Sequence, residues 1–179
     1  HLPVVLGHEA SGVVEEVGAS VKNFKHGDRV VFAFLPSCGN CVECLSGQPS
    51  SCAPGHAANA AGTLLNGAQR FSLNSIPIAH QAGVSCFAEY TVASERSLIK
   101  INDSISLHEA SLFSCAVMTG VGAVLNTAQV RPGATVGVVG LGGVGLNALL
   151  AAKMLGAEII IAIDPVESKL VLAQELGAT

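Results

Sequence analysis

Tryptophan is absent from this 179-residue chain, and tyrosine occurs once. Charged residues are also scarce, at 12% against 50% hydrophobic ones. With nine Lys and Arg in all and a net charge of -4, a nucleic-acid backbone is excluded as the main partner, because phosphates are held by clustered cations. No uninterrupted apolar run reaches the roughly twenty residues that a membrane helix needs. Long disorder is excluded as well, since a chain this apolar can bury enough surface to offset the entropy of ordering. The chain begins at His1 with no Met and no signal-like n- and h-region. It stops at Gly177-Ala178-Thr179, just past an expected helix end with Gly177 at the stop position. Both ends read as those of a piece of a longer chain.

What is present in quantity is glycine, at 20 residues, which suits an α/β or β-rich enzyme with many tight turns. The length allows one ordinary domain or two small ones. Val4 to Phe34 is strand-like, with Ser11 to Gly18 and Arg29 to Phe34 as strands around a Lys25-His26-Gly27-Asp28 turn. Residues 36–82 read as loop, and Phe87 to Val92 as a further strand. Short strands at this spacing suggest a small barrel or sandwich. The texture changes near Ser106, where Ser106-Leu107-His108-Glu109 forms a capping box ahead of an apolar helical stretch carrying Cys115. Thr135 to Val139 then reads as a strand suited to burial on both faces. A helix over Leu146–Leu155, a strand over Ile159–Ile163 and a helix over Glu167–Leu176 complete a βαβα order, which implies parallel strands. The expected domains are 1–114, with a cysteine lobe at 36–54, and 115–179.

Cys38, Cys41, Cys44 and Cys52 fall within fifteen residues as C-x2-C-x2-C-x7-C. Four thiolates this close suit a tetrahedral zinc ion. The intervening Pro36, Gly39, Asn40, Gly47, Pro49 and Pro54 break the segment too often for helix or sheet, so a metal would organise it. Paired disulfides would need an oxidising compartment. The ferredoxin run continues C-x3-C-P, whereas here the fourth cysteine comes seven residues later and Ala53 separates it from Pro54.

Gly140-Leu141-Gly142-Gly143-Val144-Gly145 is a G-x-G-x-x-G between an expected strand and an expected helix. Gly140 permits the tight turn, Gly142 lets backbone approach a pyrophosphate, and Gly145 lets helix pack on strand. Asp164 ends the next strand nineteen residues after Gly145, near the usual spacing of about 20 for an acid that accepts from ribose hydroxyls. Such an acid repels a 2′-phosphate and favours NAD over NADP. His8-Glu9 and Cys115 are weaker signals alone, since an isolated histidine is commonly structural and a free cysteine commonly a small buried hydrophobe. Catalytic zinc uses about three protein ligands and one open position, and His8 and Cys115 supply two.

Together the Gly7-His8-Glu9-Ala10-Ser11-Gly12-Val13-Val14 segment, Gly27-Asp28-Arg29-Val30, the cysteine lobe, Cys115-Ala116-Val117-Met118-Thr119-Gly120 and Gly140 to Gly145 resemble the zinc-dependent alcohol dehydrogenases of the medium-chain dehydrogenase/reductase superfamily. The resemblance runs along the whole chain. It implies a β-rich GroES-like catalytic domain followed by an α/β Rossmann-type domain, of which only the first βαβα part is present. It implies two zinc ions per subunit, a structural one on Cys38, Cys41, Cys44 and Cys52 and a catalytic one on His8 and Cys115, with Glu9 beside it. Thr119 would help hold the nicotinamide end of NAD. Gly140, Gly142, Gly143, Val144 and Gly145 would hold the pyrophosphate, and Asp164 with Lys169 the adenosine ribose. The third ligand and the proton relay would lie upstream of His1, so this chain alone is expected to be inactive.

The implied reaction interconverts a primary or secondary alcohol and its aldehyde or ketone, with zinc as Lewis acid and hydride passing to the nicotinamide. Polyol, threonine and glutathione-dependent formaldehyde dehydrogenases share much of the pattern. A zinc-free quinone oxidoreductase is opposed by the four cysteines and by Gly7-His8-Glu9. A non-enzymatic zinc module would want Lys, Arg and aromatics around the cluster, which has none. The implied setting is a cytoplasmic homodimer or homotetramer with a small-molecule alcohol or aldehyde substrate, and neither nucleic acid nor membrane.

Overall fold

Short β-branched runs between turns build the first of two units, His1–Ser114, in a computed structural model that describes residues 2–179; the second unit is Cys115–Thr179. The first unit holds two three-stranded sheets. In one, β1 (Val4–Val5) runs parallel to β5 (Ile76–His80), which pairs antiparallel with β4 (Phe71–Leu73). In the other, β3 (Arg29–Phe32) lies antiparallel between β2 (Ser11–Val13) and β6 (Leu98–Lys100). Phe32, Ala82 and Val84 form the buried centre, covered by Ala10, Phe34, Cys86, Ala93 and Leu98.

The expected strand over Ser11–Gly18 is cut short at Val13, although two bonds, from Val14 N–H to the Asp28 carbonyl and from Gly27 N–H to the Val14 carbonyl, carry the pairing one residue further. Asp28 holds the turn by accepting the Lys25 amide and pairing with Lys100 at 2.7 Å, and Lys100 chiefly keeps its carboxyl below the ordinary carboxylate range.

Three further expectations fail here. Phe87–Val92 is not a strand. Its apolar side chains have no layer to cover them, with Phe87 76% and Tyr90 74% exposed, so β propensity finds no packing partner. The segment around the cysteines is not structureless either. It contains α1 (Val42–Leu45), a 3-10 turn at Pro49–Ser51 and α2 (Ala53–Ala61). Pro54 sits in the first turn of α2, where its missing N–H breaks no helical bond, and Gly62 ends α2 in the left-handed region at φ 68°. The rest of the expected loop forms the β4–β5 hairpin, whose turn residues Asn74 and Ser75 both take positive φ (50° and 65°), as a two-residue hairpin requires.

The capping box leads into the end of the first unit. Ser106 Oγ accepts the Glu109 amide at 3.2 Å and donates to the Glu109 carboxylate at 2.7 Å, starting α3 (Leu107–Ala110). A 3-10 turn at Ser111–Ser114 follows.

The second unit opens with α4 (Ala116–Gly122), prolonged by a π turn at Ala123–Thr127. Then come β7 (Thr135–Val139), α5 (Gly143–Met154), β8 (Ile159–Ile163) and α6 (Glu167–Leu176), with β7 and β8 parallel and in register from Thr135↔Ile159 to Val139↔Ile163. Leu141, Leu149 and Ile160 are fully buried in the core between this sheet and α5, each worth about 1.5–3 kcal/mol. The strand β7 is not buried on both faces as its composition suggests. Among the described residues Val138 is the buried member of β7, and Val139 is 79% exposed, with β8 as the one strand beside it in a chain that spans part of a longer fold. Among the described residues no single helix is long and apolar enough to cross a membrane.

Candidate functional site

Proline, glycine and a short helix bring the four cysteines together. The sulfur atoms of Cys38, Cys41, Cys44 and Cys52 all lie within 4.8 Å of one another, and among the described residues no second such group of three or more occurs. Cys41 Sγ and Cys52 Sγ are 3.8 Å apart, matching the edge of a tetrahedron with ligand bonds of about 2.3 Å. That is far beyond a disulfide bond of about 2.05 Å, and the six cysteines are free thiols. Cys52, buried at the start of α2, accepts amide N–H bonds from Cys38 and Gly55, each at 3.3 Å, which suits an anionic sulfur.

The fold leaves no slack around that sulfur. A Cβ on Gly55 would run into the Pro36 carbonyl oxygen. Thiols packed like this cannot all ionise together without a cation. The Asn40 amide draws Cys38 down to about 6. Cys41 is pushed up to about 12, where the helping Cys44 amide is outweighed by the Glu43 carboxylate, burial and the neighbouring thiols. Donor set, spacing and amide bonds all fit a zinc ion.

His8 and Glu9 lie between two tied stretches of backbone. Gly7 takes φ 101°, donates its N–H to Gln81 Oε1 at 2.8 Å and accepts the Cys86 amide at 3.0 Å. Ala10 is held on both its backbone groups by the buried Ser114 hydroxyl, at 3.1 and 2.9 Å. The half-buried His8 ring meets Phe34 edge-on, with centroids 5.3 Å apart. Glu9 is exposed. Cys115 belongs to the second unit, as the residue before α4, with its carbonyl accepting the Thr119 amide at 2.8 Å and its Sγ 3.9 Å from Thr119 Oγ1. Gly120 sits where α4 meets α5, since a Cβ there would press into the Val144 carbonyl.

The glycine loop joins β7 to α5. Gly140 takes φ 87°, and a Cβ on Gly145 would strike the Gly140 carbonyl oxygen. Nothing lies within 4 Å of where a Cβ on Gly142 would point. Gly142 gives α5 no side-chain cap, and Gly143 and Val144 in the first turn are exposed, the setting in which a helix N-terminus holds an anion. Asp164, at the end of β8, reaches back to this loop. Its Oδ2 accepts the Leu141 amide at 2.7 Å and lies 3.5 Å from Lys169 Nζ, while Oδ1 accepts the Val166 amide at 2.9 Å. The Leu141 amide first, then Val166 and Lys169, hold its carboxyl below the ordinary range.

Sequence reading missed Ser114 and Gln81, which act across 104 and 74 positions of chain. Neither lies in a periodic or spaced motif, so only the fold reveals them.

An alcohol dehydrogenase GroES-like domain model matches residues 1–103. Among solved structures, an alcohol dehydrogenase zinc-binding domain protein from Burkholderia ambifaria is similar at 40% identity and a TM-score of 0.93, over 100% of this chain and 49% of that one. Benzyl alcohol dehydrogenase from Acinetobacter calcoaceticus is similar at 37% identity and a TM-score of 0.87, over 100% and 48%. Galactitol-1-phosphate dehydrogenase from Escherichia coli follows at 30% identity and a TM-score of 0.75, over 99% and 45%. The chain thus spans about half the length of the solved proteins it matches.

Proposed function

This chain belongs to the zinc-containing alcohol dehydrogenases of the medium-chain dehydrogenase/reductase superfamily, and on that premise we propose that the whole protein is a zinc-dependent, NAD-linked oxidoreductase interconverting alcohols and their aldehydes or ketones. The observation that carries the NAD assignment is the bond from the Leu141 amide to Asp164, which closes the glycine loop at the start of α5. An open Gly142, an uncapped helix N-terminus and a carboxylate at the end of the next strand together suit a dinucleotide.

When bound, zinc supplies Lewis acidity toward an alcohol oxygen and NAD supplies the hydride acceptor. The chain's own residues have narrower tasks. Cys38, Cys41, Cys44 and Cys52 hold a structural zinc that keeps their lobe folded. His8 and Cys115 are assigned to the second zinc and Glu9 to its neighbourhood, on the resemblance of their motifs. Thr119 is assigned to the nicotinamide end, and Gly142, Gly143, Val144 and Gly145 to the pyrophosphate. Asp164 accepts from a ribose hydroxyl with the lone pairs its two amide bonds leave, and Lys169 steadies that carboxylate. We propose a homodimer or homotetramer as the working form.

The test is NAD reduction by the whole protein across a panel of small primary and secondary alcohols, before and after chelation. Turnover that needs both the alcohol and zinc supports the reading. Zinc-loaded protein that reduces NAD with no alcohol, or reduces quinones instead, removes it.

A further inference from the structure

Four thiolates around a divalent ion leave an excess of two negative charges, and Glu43 adds a third. Yet residues 36–54 contain no Lys and no Arg, so the lobe carries no cation of its own. The fold brings one to it from 57 positions along the chain, at Arg96. Gly39, between Cys38 and Cys41, takes φ 77°, and a Cβ there would fall inside the guanidinium of Arg96. The guanidinium therefore rests on the Gly39 backbone, one residue from a ligand sulfur.

Its turn is fixed independently of the lobe. Ser94 Oγ accepts the Arg96 amide at 3.3 Å, Ser97 is buried, and the Ser97 carbonyl accepts the Ala33 amide at 2.9 Å just after β3. We propose that Arg96 is a positioning residue of the cysteine lobe, its guanidinium seated on Gly39 to offset the charge of the zinc-bound thiolates and slow loss of the ion. Gly39 is glycine for its left-handed φ, and a side chain there would push the guanidinium off its seat. This inference rests on zinc occupying the four cysteines.

The test follows zinc release from the whole zinc-loaded protein to a chromophoric chelator, in wild type and in Arg96→Lys, Arg96→Gln and Arg96→Ala. The lobe's phase is identified as the one that Cys44→Ser abolishes. Arg96 is exposed, so the expected effect is modest, with release from the Gln and Ala variants roughly two- to fivefold faster at low salt. The Lys variant should stay near wild type, and the differences should shrink at high salt. Far-UV circular dichroism checks that each variant is folded. Release from Arg96→Gln as slow as from wild type would overturn the proposal, and so would equal acceleration in all three variants, which would make the seat steric. Wild-type protein with no zinc on these cysteines would overturn both this inference and the reading it rests on.

Discussion

The Ser114 hydroxyl closes a two-way clasp on Ala10, accepting its amide at 3.1 Å and donating to its carbonyl at 2.9 Å across 104 positions of sequence. Ala10 stands two residues after His8, and Ser114 is bonded directly to Cys115. The clasp therefore fixes the backbone two residues past His8, one of the proposed zinc ligands. Ser114→Ala leaves the Ala10 amide without this partner, and the expected cost is about 1–3 kcal/mol, read from denaturant unfolding of the first unit. A loss smaller than about 0.5 kcal/mol would show that the clasp contributes little.

The cysteine lobe should respond to metal rather than to packing. Cys52 is buried and already accepts two amides, so Cys52→Ser should remove one zinc per subunit and lower the melting temperature by at least about 5 °C. Chelation of wild type should reproduce the shift. An unchanged melting temperature on metal removal would mean that α1 and α2 hold the lobe unaided.

The glycine loop yields two separable outcomes. Gly145→Ala drives a methyl into the Gly140 carbonyl, so NAD binding and stability should both fall. Asp164→Ala should weaken NAD binding and raise the relative use of NADP. It should also destabilise the second unit, because the Leu141 and Val166 amides lose their acceptor. Unchanged cofactor preference, measured as the ratio of kcat/KM for the two dinucleotides, would remove the ribose role.

His80 should make the β4–β5 hairpin sensitive to acid. Its buried ring accepts the Arg70 amide on Nε2 at 3.0 Å, which only the neutral ring can do. Burial first, and the Arg70 charge second, hold its pKa below the ordinary 6.5. The folded state thus binds fewer protons than the unfolded one just below that value. The contribution of His80 is therefore fully present above about 6.5 and is lost as pH falls through the lower folded value. The stability gap between wild type and His80→Gln should be constant above about pH 6.5 and narrow as pH falls below it. A gap that stays constant below it as well would contradict the neutral-ring assignment.

Legibility of the chain follows the range of the interactions involved. Strand Ile159–Ile163 and helix Glu167–Leu176 were readable to the residue, because apolar runs, Gly177 and the Gly140–Gly145 loop are local signals. Helix Ala53–Ala61 was hidden by Pro54 and Gly55. Pro54 is harmless in a first turn, and Gly55 is required by the Pro36 carbonyl, a contact that sequence cannot display. Phe87–Val92 has strand composition but no covering layer, so propensity alone misleads. At the site, the cysteine spacing announced its cluster. The seat of Arg96 on Gly39 and the clasp of Ser114 on Ala10 depend on chain closure over long separations and leave no local trace.

The most direct measurement is the metal content of the purified whole protein, by elemental mass spectrometry normalised to subunit concentration. The account predicts two zinc ions per subunit, one lost with Cys44→Ser and the other retained in that variant. One zinc or none in the wild type would contradict it.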